Sequence, residues 1–190
     1  MSTLTIVLIA VIVLAVAFAV FMIVQKERSK KLRGRFGPEY DRVVRDSGSQ
    51  RRAEDELAKR EKRIEKLHLR ELNRGEIDRY AGSWRAVQTK FVDAPRDAVA
   101  EADRLVRDVM ATRGYPMGDF EQRAADISVD HPHVVRNYRA AHDIAARDAA
   151  GRATTEDLRQ AMVHYRALFE DLLGETAVRH TTDRPVEVTR

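Results

Sequence analysis

The side chains best suited to chemistry crowd into one short stretch of this 190-residue chain, Ser128-Val129-Asp130-His131-Pro132-His133. Asp130, His131 and His133 offer a carboxylate and two imidazoles, donors that suit zinc or iron and that also serve as an acid/base pair. A catalytic zinc usually takes three protein ligands, and neither an H-E-x-x-H pair nor spaced Cys/His ligands occur here. His142 and His164 complete a set only if their helices pack side by side. The plainer arrangement has Asp130 capping a helix, Pro132 in its first turn and the histidines bonded to backbone. We expect the plainer one. Asp130, His131 and His133 then remain the candidates for a small metal- or ligand-binding centre, a hydrolase among the alternatives.

Other reactive patterns are missing from the sequence. The chain has no cysteine, which removes disulfides, thiolate metal sites, cysteine nucleophiles and palmitoylation together. No glycine-rich phosphate loop follows a strand, no G-x-S-x-G elbow occurs, and no glycosidase carboxylate pair stands out. No cofactor is expected, and no reaction is assigned. His142, on an otherwise apolar face, is expected to be a core histidine bonded to a neighbour such as a tyrosine. Tyr115, Pro116 and Met117 form a docking patch for a partner if all three are exposed together.

The elements that carry these residues are preceded by an apolar block. From Leu4 to Val24 only Thr5 is not apolar, and no charge appears. A helix of that length rises about 30 Å, the hydrocarbon thickness of a bilayer, so a single transmembrane helix is expected over 4–24. A buried core helix would need a polar face, which this block lacks. Ala17-Phe18-Ala19 resembles a small-x-small cleavage site, so the alternative is a secreted chain cut near Ala19.

Charge is placed unevenly behind the block. Lys26, Arg28, Lys30, Lys31, Arg33 and Arg35 stand against Glu27 alone, a local charge of +5 within a net charge of +4. Residues 36–190 are therefore at −1. The positive-inside rule puts the N-terminus outside and residues 25–190 in the cytoplasm of a cell bounded by its plasma membrane. The six basic side chains are expected to meet anionic headgroups. A second basic stretch, 51–74, opens the alternative of a membrane-surface or nucleic-acid binder acting through 26–35 and 51–74. The slightly acidic remainder argues against nucleic acid, and none is expected as a partner.

Beyond residue 37 the pattern is helical throughout. Gly34 and Gly37-Pro38 are expected to break the chain, with a short helix from Glu39 to about Asp46. Residues 50–72 read as a charged stalk helix, with a thin stripe of Ala53, Leu57, Ile64, Leu67 and Leu72. Ile77, Tyr80, Trp84, Val87 and Phe91 recur at 3-4-3-4 spacing, and Ala98, Ala102, Leu105 and Val109 at 4-3-4. A short helix is expected from Phe120 to Ala125. A long one follows from about His133 to Ala149, with Val135, Tyr138, His142 and Ala145 inward. Thr154 or Thr155 caps the last helix, in which Leu158, Met162, Tyr165, Phe169 and Leu172 repeat.

Several segments together resemble an uncharacterised bacterial family of short proteins, labelled only as membrane or secreted. They are Arg35-Phe36-Gly37-Pro38-Glu39-Tyr40-Asp41-Arg42, Trp84-Arg85-Ala86-Val87-Gln88 with Phe91-Val92-Asp93, Arg113-Gly114-Tyr115-Pro116, Ser128 to Pro132, and Thr155-Glu156-Asp157-Leu158-Arg159-Gln160 running into His164-Tyr165-Arg166. The resemblance covers most of residues 35–173. It implies an N-terminal span followed by a helical domain, and it carries over no activity, cofactor or catalytic residue.

The expected architecture is all-α. A transmembrane helix (4–24) leads to a basic juxtamembrane segment (25–37), charged stalk helices (38–74), an up-down four-helix-bundle-like domain (75–174) and a mobile tail (175–190). The function expected of it is that of a membrane-tethered protein-interaction or scaffold module for an unidentified protein partner, not an enzyme.

Overall fold

The structure is a computed structural model describing the backbone of residues 3–174 and the side chains of residues 11–174. The expected tail, 175–190, lies outside the described residues, as do the side chains of 4–10 in the expected span. Among the described residues there are eight helices and no strand. The chain divides after Ala58, inside the third helix, into two compact units.

The first unit begins with α1, Thr3–Phe36, which runs without a break through Gly34. Gly34 does not interrupt the chain because its surroundings are open and its conformation is helical. The break comes at Gly37, whose φ of 48° turns the chain into α2, Pro38–Ser47. The apolar block and the basic run are thus one helix of 34 residues, about 51 Å long. Among the described residues no helix is long and apolar enough to cross a membrane.

The two halves of α1 differ in what surrounds them. Eleven large apolar side chains from Val11 to Val24 are between 53% and 70% exposed. Further along, Leu32 and Phe36 are buried with Tyr40 and Val43 of α2 and with Ala53 and Leu57 of α3, Gln50–Ile64. Residues expected to form charged stalk helices therefore contribute a small core. Helix α3 also ends at Ile64 rather than near Leu72. Tighter bonds, Lys66 N to Arg63 O and Leu67 N to Ile64 O, close its last turn.

The second unit is a helical bundle. Helices α4 (Arg74–Asp93), α5 (Pro95–Arg113), α7 (Val135–Ala149) and α8 (Thr155–Leu173) are long, and α6 (Phe120–Asp130) is short. Asn73 opens α4 through a reciprocal capping box with Glu76, and Thr154 opens α8 through one with Asp157. Helix α5 needs no side-chain cap, since Pro95 occupies its first turn. Tyr80 bonds Thr112 at 2.6 Å and Lys90 pairs with Glu101 at 2.8 Å, so α4 and α5 are antiparallel. Arg147 with Asp157 makes α7 and α8 antiparallel. Tyr165 with Asp103, and Arg113 with the Leu172 carbonyl, make α5 and α8 parallel. The four long helices alternate in direction, as an up-down bundle requires.

Its core is the apolar stripes read from the sequence, with Trp84 stacked on Phe169 at 4.7 Å. Two details differ. Helix α7 buries Val135, Tyr138, Ala141 and Ile144, so its inward face is turned away from His142 and Ala145. Helix α6 continues five residues past Ala125, because Ala124, Ile127 and Val129 have a buried face to fill.

Candidate functional site

At one end of the bundle, the C-terminal ends of α5, α6 and α8 bring five polar side chains together. Gly114 ends α5 in a left-handed turn, φ 96°, and the Tyr115 N–H bonds back to the Met110 carbonyl. The turn folds Tyr115 inward, where it is 3% exposed. Its hydroxyl donates to Asp130 Oδ2 at 3.3 Å. Burial first, and then the negative charge of Asp130, push the Tyr115 hydroxyl above its ordinary range.

Asp130 is the last residue of α6 and not the cap of α7. Asp119 supplies the side-chain cap of α6, accepting from Gln122 N at 2.8 Å, while α7 starts after Val134 with no side-chain cap. Pro132 therefore sits in the turn between two helices, not in a first turn.

His131 follows as the C-cap of α6, its N–H bonded to the Ile127 carbonyl. Its Nδ1 meets the Asp171 carboxylate of α8, and its Nε2 lies 3.2 Å from Arg113 Nη1. A guanidinium only donates, so Nε2 accepts and the ring proton sits on Nδ1, donating to Asp171. Arg113 Nη1 also donates to the Leu172 carbonyl at 3.0 Å, a helix-end acceptor. Both imidazole nitrogens are thus engaged. The cluster binds three helix ends and leaves no ring nitrogen for a metal or a substrate.

The other members of the candidate metal set are not gathered there. His133 is exposed on the turn before α7, and His142 stacks on Phe120 at 3.6 Å instead of bonding a tyrosine. His164 is half-buried on α8. Among the described residues, no group of three or more His, Cys, Asp or Glu side chains is placed to hold a metal ion. The expected partner patch is also corrected. Tyr115 is buried and Pro116 half-buried, leaving Met117, at 45%, as its exposed member.

A second polar contact, absent from the sequence pattern, lies on α6. Asp126 of α6 is fully buried, accepts from Gln122 at 2.8 Å and pairs with Arg63 at 3.1 Å. Its Oδ2 is buried without a partner among the described residues. Burial holds this carboxyl above the usual range, against the pull of Gln122, Arg63 and Arg60. The basic run 51–74 concealed this role, because a charge pattern does not say which cation will meet a buried acid.

In the first unit the basic run is partly spoken for. Arg28 pairs with Asp55 at 3.0 Å, Lys30 with Glu27 at 3.0 Å and Arg33 with Asp41 at 3.4 Å. Arg33 also lies over the Tyr40 ring. Arg35 is half-buried and engaged. Lys26 and Lys31 are exposed and form no ion pair among the described residues. In the same unit Glu54, 6% exposed, accepts from Ser29 at 2.6 Å, Tyr40 at 2.8 Å and Gln50 at 2.8 Å. Burial pushes this carboxyl up, but the three hydrogen bonds and the charge of Arg28 outweigh it and hold it below the ordinary range.

The chain matches no protein-family model, no curated protein and no solved structure. Two polar hubs and one ion pair between a buried acid and an exposed arginine join helices to one another, and one half-helix presents apolar side chains to its surroundings.

Proposed function

We propose that this chain is a single-pass membrane protein whose helical bundle is held at the cytoplasmic face of the plasma membrane and works by contacting a protein partner. One observation carries the reading. The half of α1 from Val11 to Val24 exposes eleven large apolar side chains on all sides, while the same helix, further on, buries Leu32 and Phe36. Water strongly disfavours an apolar helix with no covered face, and a bilayer favours one. Residues 11–24 rise about 21 Å, short of a bilayer core. The charge-free run from Leu4 to Val24, apolar except for Thr5, makes up the remaining length.

The flanking charges set the orientation. Six basic side chains follow the run closely, which favours retention of residues 25–190 on the cytoplasmic side. Anchoring raises the bundle's effective concentration for partners in the same membrane. A binding role is favoured over catalysis because the best acid/base candidates, Asp130 and His131, are engaged in joining helix ends.

The test is proximity crosslinking in cells together with alkaline extraction of membranes. The chain is expected to stay with the membrane pellet and to capture a partner that is lost on deletion of 75–173. Capture by residues 1–74 alone, or release of the full chain by alkali, overturns the reading.

A further inference from the structure

The first unit ties a segment distant in sequence to the level of α1 just beyond the apolar run. Arg28 and Ser29 lie four and five residues past Val24, about 6 and 7.5 Å along the helix axis. Headgroup layers are about 5–7 Å thick on each side of the hydrocarbon. Arg28 holds Asp55 at 3.0 Å, and Ser29 contacts Glu54 at 2.6 Å and Gln50 at 3.3 Å. The first two turns of α3 are therefore fixed at the height of Arg28 and Ser29 by three side-chain contacts. Arg51 and Arg52 sit on those turns, both exposed and with no ion pair among the described residues.

We propose that Arg51 and Arg52 join Lys26 and Lys31 in one surface that binds the anionic headgroups of the membrane. The inference rests on the reading of α1 as a bilayer span. Its new content is which cations face lipid. Arg28, Lys30 and Arg33 are already neutralised by Asp55, Glu27 and Asp41. Farther along the same basic segment, Arg63 is committed to Asp126 and Arg70 to Glu76 at 2.6 Å, both within the second unit. Arg51 and Arg52 differ from the other cations of the segment in sitting on the tethered start of α3, with long side chains able to reach back into the headgroup layer. The surface potential of an anionic leaflet decays over about 8–10 Å, so cations at this height still feel it. A membrane is favoured over a nucleic acid because Lys26 and Lys31 lie within about 11 Å of the end of the apolar run along α1, and the start of α3 is held at the height of Arg28 and Ser29 between them.

The experiment uses the full chain in nanodiscs of phosphatidylcholine containing a minor fraction of phosphatidylserine. The readout is the preference of spin-labelled phosphatidylserine over spin-labelled phosphatidylcholine for the protein's lipid shell. Wild type is expected to prefer the anionic lipid. R51E/R52E is expected to lose most of that preference, with unchanged helix content because both positions are exposed. An unchanged preference in R51E/R52E beside a loss in K26E/K31E overturns the inference and leaves the span standing. So does arginine-dependent binding of a DNA duplex without lipid preference. Release of wild type from the bilayer by alkali overturns the span reading itself, and the inference with it.

Discussion

Glu54 shows how a residue that looks like one more surface acid becomes a structural centre. Its sequence neighbours Glu56 and Asp55 are exposed, yet Glu54 is buried with three donors on one carboxylate. Such an arrangement is costly to half-dismantle, since each stranded buried donor costs about 1–3 kcal/mol. Glu54→Ala is expected to destabilise the first unit by about 2–4 kcal/mol, read as loss of amide exchange protection around Ser29 and Leu57. The sign of the pH dependence follows from the lowered carboxyl. A group held below its ordinary range in the folded state contributes stability above that range and loses it as pH falls through the folded value. Protection in this unit should therefore hold near neutrality and decline in acid, and Glu54→Gln should flatten that decline.

At the scale of elements, glycine positions separate what the sequence discloses from what it hides. Gly34 and Gly114 look equivalent as helix breakers, and they behave oppositely. Gly34 lies inside α1 with nothing near its missing Cβ. Gly34→Ala is expected to stabilise by about 0.5–1 kcal/mol. Gly114 has φ 96°, and a Cβ there would come within 2.9 Å of the His68 carbonyl oxygen. Gly114→Ala is expected to lower stability by about 1–3 kcal/mol. Thermal unfolding of the two variants checks both signs.

The same contrast explains how far the sequence could be read. The stripes of α4, α5 and α8 were legible because their apolar residues recur without polar interruption, and nearly all of them are buried. The core of the first unit was not. Its stripe on α1, Ser29, Leu32 and Phe36, lies among six cations, and two of its key members, Ser29 and Glu54, are polar. The end of α6 was misplaced because Asp130 and Pro132 form a good helix start locally, while the buried side chains of Ala124 and Ile127 extend the earlier helix over it. The engagement of His131 was invisible for another reason. Its partners, Arg113 and Asp171, are 18 and 40 residues away in the chain.

For the whole molecule, the governing feature is an asymmetry along one helix. The first part of α1 has apolar side chains and no covering, and the last part has cations and a core. A bilayer on one side and folded protein on the other satisfies both parts at once. The absence of cysteine makes a decisive labelling experiment clean, because any thiol introduced is the sole one. Ser83→Cys places a thiol at an exposed position on α4. In intact cells a membrane-impermeant maleimide is expected to leave this variant unlabelled, and to label it fully once the membrane is opened. Labelling of intact cells, or recovery of the variant from the medium shortened just after Ala19, would contradict an inward-facing, anchored bundle.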